Sequence, residues 1–192
     1  MRGTDALTVF DNCADVVDIS GLCDPLPAEC LPLPTSFSVS CDVTSATCTG
    51  PVAVIPHVPP DGLANVTFRI DFTLQITLLD TSGPVPIVHC TFPVSSTVTE
   101  TVSLTAPPGF TMLYQCAVTA FTCGPCVVAN FGTAATPDYN VCCEVELCLE
   151  IQSKYPVKLQ VWTNGYCVQT PCPAKQGPTL VCPPTPFYPP QM

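Results

Sequence analysis

The sequence is short of charge, and above all of positive charge. Its 192 residues contain five Lys and Arg against fifteen Asp and Glu, which gives a net charge of −10 at pH 7. Nucleic-acid binding needs clustered Lys and Arg to neutralise phosphates, and the sequence has no such cluster. Hydrophobic residues make up 47% of the chain, yet they form no run of about 18 apolar residues. The sequence therefore predicts neither a nucleic-acid partner nor a membrane span.

Motifs for catalysis and for metal binding are also scarce. The two histidines, His57 and His89, are isolated, and no Gly-x-Ser-x-Gly motif is present. The single Cys-x-x-Cys motif, Cys123 to Cys126, has the four residues of the thioredoxin redox centre, Cys-Gly-Pro-Cys. In that family the motif begins a helix, whereas here Val127 to Asn130 reads as a strand and no βαβ pattern surrounds it. We expect no catalytic residue, metal or cofactor, and keep thiol redox chemistry at Cys123 and Cys126 as a third hypothesis.

Cysteine, in contrast, is abundant. Fifteen cysteines would form up to seven disulfides, and at about 2–4 kcal/mol each these exceed the stability of an ordinary domain. Such density is typical of an oxidising compartment, although Met1-Arg2-Gly3-Thr4-Asp5 lacks the apolar stretch of a secretory signal. We expect either a processed chain or one that leaves the cytosol without a signal. The odd count leaves at least one thiol unpaired, unless a cysteine bonds to its own copy across a two-fold axis.

Period-two alternation dominates the middle of the chain. From Asn65 to Leu78 every second residue is large and apolar over fourteen residues. Further strands are predicted at Ser36–Val43, Val52–Ile55, Pro86–Phe92, Thr97–Ala106, Thr111–Thr119, Tyr139–Gln152 and in an Asn164-Gly165 hairpin from Val157 to Gln169. No segment has helical periodicity. The prediction is an all-β fold with 8–10 strands, arranged as an antiparallel two-sheet sandwich that resembles a jelly roll.

The two ends of the chain differ from this core. Residues 1–34 carry three cysteines and little alternation, and residues 170–192 contain eight prolines with Cys172 and Cys182. Proline at that density favours extended polyproline conformations. The prediction is an N-terminal cysteine-containing arm at 1–34, a sandwich core at 35–169 and a Pro-rich cysteine-containing tail at 170–192. Both ends are expected to reach neighbouring copies, with disordered tails as the alternative.

The adjacent pair Cys142-Cys143 indicates two layers of cross-linking. Neighbouring strand residues point to opposite faces, so Cys143 is expected to bond within the core and Cys142 to whatever covers the outside, either an arm of the same chain or one of a neighbour. Leu7, Val9 and Phe10 are predicted anchors of an N-terminal arm that adds a strand to a neighbour. The candidate intersubunit disulfide residues are Cys13, Cys142, Cys148 and Cys182. The candidate intrasubunit residues are Cys41, Cys48, Cys90, Cys116, Cys123, Cys126, Cys143 and Cys167.

These features resemble those of the cysteine-rich structural proteins of bacterial endospores, the coat and appendage-fibre subunits. The resemblance lies in the signal-less start, the arm with Cys13, the Thr/Val-alternating β core, the Cys142-Cys143 pair and the Pro-rich Cys182 tail. It implies jelly-roll subunits that stack into helical fibres, with N-terminal arms bonded to preceding subunits. It also implies a location outside the cell, on the cell or spore surface.

Low charge and high cysteine content together favour a protein whose surface is covered by its own copies. The leading hypothesis is a non-enzymatic subunit that self-assembles, through heterologous head-to-tail contacts, into a disulfide-stabilised extracellular filament or coat. The alternative is a secreted or surface-displayed binding module, either an adhesin or a carbohydrate-binding sandwich. A binding module usually offers an aromatic platform, and Trp162 is the only tryptophan in the chain.

Overall fold

The fold is built almost entirely from long β-strands. The computed structural model describes residues 4–58, 61–133, 136–159 and 170–171. In these residues the only helical element is a 3₁₀ turn at Ala28–Cys30. The strands are β1 (Thr4–Pro25), β2 (Phe37–Pro56), β3 (Leu63–Asp80), β4 (Ile87–Thr105), β5 (Leu113–Asn130), β6 (Tyr139–Leu159) and the short β7 (Thr170–Pro171).

Two sheets form the sandwich. One has the strand order β5-β6-β1-β7 and the other β2-β3-β4. All the long neighbours are antiparallel, and only the two residues of β7 run parallel to β1. The predicted all-β, two-sheet antiparallel sandwich is confirmed.

The core lies between the inner faces of β3 and β6. The predicted apolar face of β3 is completely inside, since each of its seven members is at most 2% exposed. These residues are Val66, Phe68, Ile70, Phe72, Leu74, Ile76 and Leu78. The odd-numbered residues of β6 from Val141 to Ile151 form the opposing layer, and they too are at most 2% exposed. Alternation in these two strands therefore decides which layer each side chain enters.

Two of the described strands are longer than the sequence indicates, because each joins segments predicted as separate strands. The predicted segments Ser36–Val43 and Val52–Ile55 belong to one strand, β2, whose pairing with β3 shifts register between Val43 and Ser45 and again between Thr49 and Ala53. Likewise β4 runs through both predicted segments between Pro86 and Ala106. In β2 each register shift breaks the period of two, so one long strand reads as two short ones. The pairing of β4 with β3 is unbroken from Cys90 to Thr105. The described residues contain seven strands.

The N-terminal segment is a strand of the sandwich, which corrects its prediction as an arm. β1 pairs with β6 of the same chain from Thr4 opposite Leu159 to Pro25 opposite Asn140. Its inner face carries the buried residues Cys13, Asp15 and Val17. The acidic residue inside and register shifts at both ends of the strand hide the alternation. Of the predicted tail, only Thr170–Pro171 is described, while the predicted Asn164-Gly165 hairpin lies outside the described residues.

Candidate functional site

Disulfides close one side of the sandwich. Cys41–Cys123 and Cys48–Cys116 both join β2 to β5, with Cα atoms 5.8 and 5.5 Å apart. These two strands are edges of different sheets, so neither bond duplicates a backbone ladder. Because these edges share no backbone ladder, the two disulfides hold the two layers in register.

The opposite side, between β1 and β4, is held at its two ends. At one end the Asp11 carboxylate on β1 accepts hydrogen bonds from the backbone N–H and hydroxyl of Thr105 on β4. At the other end Cys30, in the 3₁₀ turn, forms a disulfide with Cys90 of β4. His89 Nε2 also lies 3.1 Å from the Cys30 carbonyl oxygen. The sandwich is thus braced on both sides.

Two further disulfides link strands that are already paired. Cys23 of β1 bonds to Cys142 of β6, and Cys126 of β5 bonds to Cys143 of β6. Each bond joins residues directly opposite each other in the ladder. The adjacent cysteines of β6 therefore have different partners, as expected from the pleat. Cys142 thus bonds to the N-terminal segment of the same chain, one of the two expected partners, but this segment is the neighbouring strand rather than a cover on the outer face, and the intersubunit assignment of Cys142 is corrected.

Three of the four predicted intersubunit cysteines, Cys13, Cys142 and Cys148, are engaged within the single chain. Besides Cys142, both Cys13 and Cys148 are buried and disulfide-bonded. Cys148 is fully buried although it shares the outer face of β6 with Glu146 and Glu150. The intrasubunit candidates Cys41, Cys48, Cys90, Cys116, Cys123, Cys126 and Cys143 are placed in intrachain bonds. Cys167 and Cys182 lie outside the described residues.

Cys23 and Cys30 are structural cysteines that the sequence analysis did not assign. Cys23 lies one residue after Leu22, which faces the core from β1. Because neighbouring strand residues alternate between faces, Cys23 lies on the outer face of the sheet, the same face as Cys142 of β6. Cys30 follows a Pro-spaced loop and has no such signal, so only the folded chain brings it to Cys90.

The thioredoxin-like motif forms no bond within itself. Cys123 and Cys126 both lie in β5, on either side of a register shift, and bond to β2 and β6 respectively. Strand context without a helix N-terminus removes the feature that lowers the thiol pKa in redox enzymes. The motif therefore serves here as two cross-links to different strands.

The predicted arm anchors pair in the same chain, which corrects their assignment to a neighbour. Leu7 lies opposite Pro156 and Val9 opposite Lys154 in the ladder between β1 and β6. Phe10 sits at the bulge that follows. Their backbone groups are used in this ladder, yet the side chains of Leu7 and Phe10 are 46% and 44% exposed.

Large exposed apolar side chains gather at the two opposite ends of the sandwich. We call the end that carries the β2–β3 turn the first pole; its exposed residues are Leu7, Phe10, Val52, Val54, Ile55, Val58, Phe110 and Leu113. We call the end that carries the β3–β4 turn the second pole; its exposed residues are Leu31, Val85, Ile87, Val88, Val127 and Phe131. Of the exposed large apolar residues described, Phe121 alone lies midway along a strand, opposite Leu147.

The outer face of β3 and β4, between the poles, is polar and nearly uncharged. On the outer face of β3 and β4 threonine and serine hydroxyls form cross-strand pairs, such as Thr67 with Thr101 and Thr73 with Ser95. One ion pair, Arg69 with Asp71, lies on this face at 2.8 Å. Shallow depressions are lined by residues of this kind and, on the other sheet, by Tyr114, Gln115, Glu150 and Lys154.

A second polar group lies at the first pole. His57 Nδ1 is 3.0 Å from an Asp61 carboxylate oxygen, and its Nε2 is 3.0 Å from the Asn65 side-chain oxygen. The hydrogen bonds to Asn65 and Asp61 raise the pKa of His57 above its usual 6.5. The hydrogen bond with His57 lowers the pKa of Asp61. These residues tie the β2–β3 turn to the start of β3.

Comparison with protein-family models, with curated proteins and with solved structures finds no match to this chain. Within the described part of the chain, no helix has the length and apolar character needed to cross a membrane. The disulfide content is compatible with a secreted or extracellular protein, because bonds of this number persist in oxidising compartments.

Proposed function

We propose that this protein is a non-enzymatic structural subunit that self-assembles head to tail into a disulfide-stabilised extracellular filament. The observation that carries the proposal is the concentration of exposed apolar side chains at two opposite poles. At the first pole Val58 is 94% exposed and at the second Val85 is 72% exposed. Clustered apolar surface of this kind marks an interaction site.

The two poles differ in residues and in backbone, so a contact between them is heterologous. Heterologous contacts that do not close into a ring propagate as a filament. Strands of 18–22 residues separate the poles, which corresponds to roughly 60 Å or more at about 3.3 Å per residue. Stacking along this direction buries both poles and leaves the polar Thr/Ser face in water.

A covalent link between subunits is part of the same proposal. A heterologous disulfide uses one cysteine at each of its two contact sites, and therefore two cysteines per subunit, so the odd total of fifteen neither requires nor excludes it. The twelve cysteines in the described residues are all disulfide-bonded, and Cys182, which lies outside them, stays the candidate from sequence. A location on the cell or spore surface is part of the same proposal, and it is supported by the cysteine content and the resemblance to endospore proteins.

Charged substitutions at one pole at a time test the proposal. Ile55→Lys with Val58→Lys blocks the first pole, and Ile87→Lys with Val88→Lys blocks the second. Each variant alone is expected to be monomeric in sedimentation and free of filaments by negative-stain microscopy. An equimolar mixture is expected to form dimers, because one intact pole of each kind remains. Phe121→Lys, on the side of the sandwich, is the matched control and should still form filaments.

Two results would overturn the head-to-tail arrangement. One is filaments formed by a variant with a blocked pole. The other is a homodimer of either variant, which would indicate like-to-like contact. Cys182→Ser should still assemble but should dissociate at a lower denaturant concentration, because only the covalent link is lost. A Cys182→Ser filament as resistant as the unmodified one would remove this cysteine from the contact.

A further inference from the structure

Four cysteine sulfurs converge where β2, β5 and β6 meet. Cys41 belongs to β2, Cys123 and Cys126 to β5 and Cys143 to β6. All four Sγ atoms lie within 4.8 Å of one another, although they form two separate disulfides. Among the described residues this is the one group of three or more potential ligands that lies so close together.

A bulge in β5 creates this convergence. Residues three apart in a regular strand point to opposite faces. Here Cys123 lies opposite Val145 and Cys126 opposite Cys143, so three steps along β5 match two steps along β6. The extra residue falls at Gly124-Pro125 and turns Cys126 back to the inner face. The Cys-x-x-Cys spacing therefore presents both sulfurs to the same point.

We propose that these four cysteines, when reduced, form a tetrahedral zinc site. Two sulfurs from a Cys-x-x-Cys motif and two from other strands are the ligand set of a structural Cys₄ site. At a Zn–S distance of about 2.3 Å, tetrahedral sulfurs lie about 3.8 Å apart. When the two disulfides are broken, the two sulfurs of each former pair can move apart to this distance. Sulfurs of different pairs, which already lie within 4.8 Å of one another, need only a small approach. Cys143 is buried and the other three are half-buried, which leaves a path for the ion to enter.

Zinc binding and disulfide bonding exclude each other at this site. A phosphine reductant cleaves each disulfide and leaves as its oxide, with the oxygen of one water, while the two hydrogens complete two thiols. The four thiols then release four protons as their thiolates bind Zn²⁺. Two molecules of a small disulfide, such as oxidised glutathione, accept the four electrons and leave as four thiolates, which restores the two protein disulfides and releases Zn²⁺. Metal would thus hold β2 and β6 against β5 before the chain is oxidised, and this step is independent of the filament proposal.

Selective protection of thiols in the full-length protein tests the site. The protein is reduced with a phosphine, given one equivalent of Zn²⁺, desalted and treated with an alkylating agent, and each cysteine is followed by peptide mass spectrometry. Slow alkylation is expected at the four cluster residues but not at Cys48 and Cys116, and EDTA should abolish the difference. Uniform alkylation of all cysteines, including that of a reduced chain that does not fold, would overturn the proposal.

Two double variants form a test and its matched control, because each removes one disulfide between β2 and β5 but only one of them removes cluster cysteines. Loss of a residue that only supports a metal ligand weakens metal binding by about 10–100-fold. Cys41→Ser with Cys123→Ser removes two ligands, so it should weaken Zn²⁺ binding by at least this factor. Cys48→Ser with Cys116→Ser should leave it unchanged. Co²⁺ should give the visible absorption of tetrahedral thiolate coordination only in the second variant and the unmodified chain. Equal binding by both variants contradicts a site at this cluster.

Discussion

Individual polar residues join the two sheets on the side between β1 and β4. Asp11 stands at a bulge of β1, where its carboxylate reaches Thr105 of β4 and Ser153 of β6. The Ser153 hydroxyl donates to Asp11 at 2.7 Å and accepts from the Asp11 backbone N–H at 3.1 Å. One side chain thereby connects strands from both sheets. Such hydrogen bonds are stronger than neutral ones because the acceptor is charged.

Replacing Asp11 is expected to destabilise the fold. Asp11→Ala leaves the partly buried donors of Thr105 and Ser153 unpaired, so the free energy of unfolding should fall by about 2–4 kcal/mol. Asp11→Asn retains one acceptor oxygen and should cost less. The measurement is denaturant unfolding, with the exposed Asp18→Ala on the same strand as control, for which a change within about 0.5 kcal/mol is expected. Equal losses for Asp11→Ala and Asp18→Ala would contradict the role of Asp11.

The His57 group gives the β2–β3 turn a pH dependence. Because the pKa of His57 is raised on folding, this residue contributes to folding stability below pH 6.5, and this contribution is lost as the pH rises through the folded pKa. Because the pKa of Asp61 is lowered, its contribution is present above its ordinary 3.8 and is lost as the pH falls through its folded pKa. Both contributions coexist between these two limits.

An NMR titration of His57 measures this coupling directly. The ring should titrate above pH 6.5 in the unmodified protein, since its hydrogen bonds to Asn65 and Asp61 favour the protonated form. Asn65→Ala and Asp61→Asn are each expected to lower the His57 pKa. A His57 pKa that neither variant moves would show that these contacts do not form in solution.

At the level of elements, β1 and β6 are the pair on which the first sheet depends. β6 lies in the middle of its sheet and pairs with β5 on one side and β1 on the other. Its inner residues from Val141 to Ile151 are buried, and β1 covers their edge along the whole strand. A strand that carries buried residues and a disulfide-bonded cysteine is part of the core, not an attachment to it.

Removal of residues 1–13 is therefore expected to unfold the protein. The truncation removes Asp11, Cys13 and the part of β1 that pairs with β6 from Ile151 to Leu159. The expected result is loss of the cooperative unfolding transition, followed by denaturant or heat, whereas removal of residues 1–3 should preserve it. A truncated protein that unfolds cooperatively at the unmodified midpoint would show that this segment is a dispensable arm after all.

At the level of the whole molecule, the net charge and the apolar surfaces of the two poles have opposite effects on assembly. The charge of −10 repels neighbouring copies, while the two poles attract through apolar contact. Salt screens charge repulsion over a Debye length of about 10 Å at 0.1 M, and sulfate strengthens apolar burial. The balance between these terms decides the length of the proposed filament.

Assembly is accordingly expected to increase with salt and with acidification. Raising the sulfate concentration, or lowering the pH toward the isoelectric point near 4.1, should lower the protein concentration at which filaments form. Sedimentation of the filament fraction at several protein concentrations measures this threshold. Filaments that dissolve as salt is added would instead indicate that ion pairs hold the subunits together.

The sequence by itself determined the fold class and the layers of its strongest strands. Period-two alternation from Asn65 to Leu78 predicted both β3 and the face it buries, because backbone pleating places every second side chain on one side. The same argument placed Cys142 and Cys143 on opposite faces with different partners. The turn-forming residues Thr81-Ser82-Gly83-Pro84 follow this run directly, and β3 ends at Asp80.

Only the tertiary structure decided how the strands join and which cysteines meet. β1 was not predicted because Asp15 faces the core and Val16 faces outward. The order of polar and apolar residues is here the reverse of the burial that pairing with β6 produces. Cys30 meets Cys90 across 60 residues, and Cys41 meets Cys123 across 82. Pairings at such separations depend on strand order and on bulges, which set the register of whole strands. A bulge adds one residue without a distinctive sequence, and that residue decides which way every later side chain points.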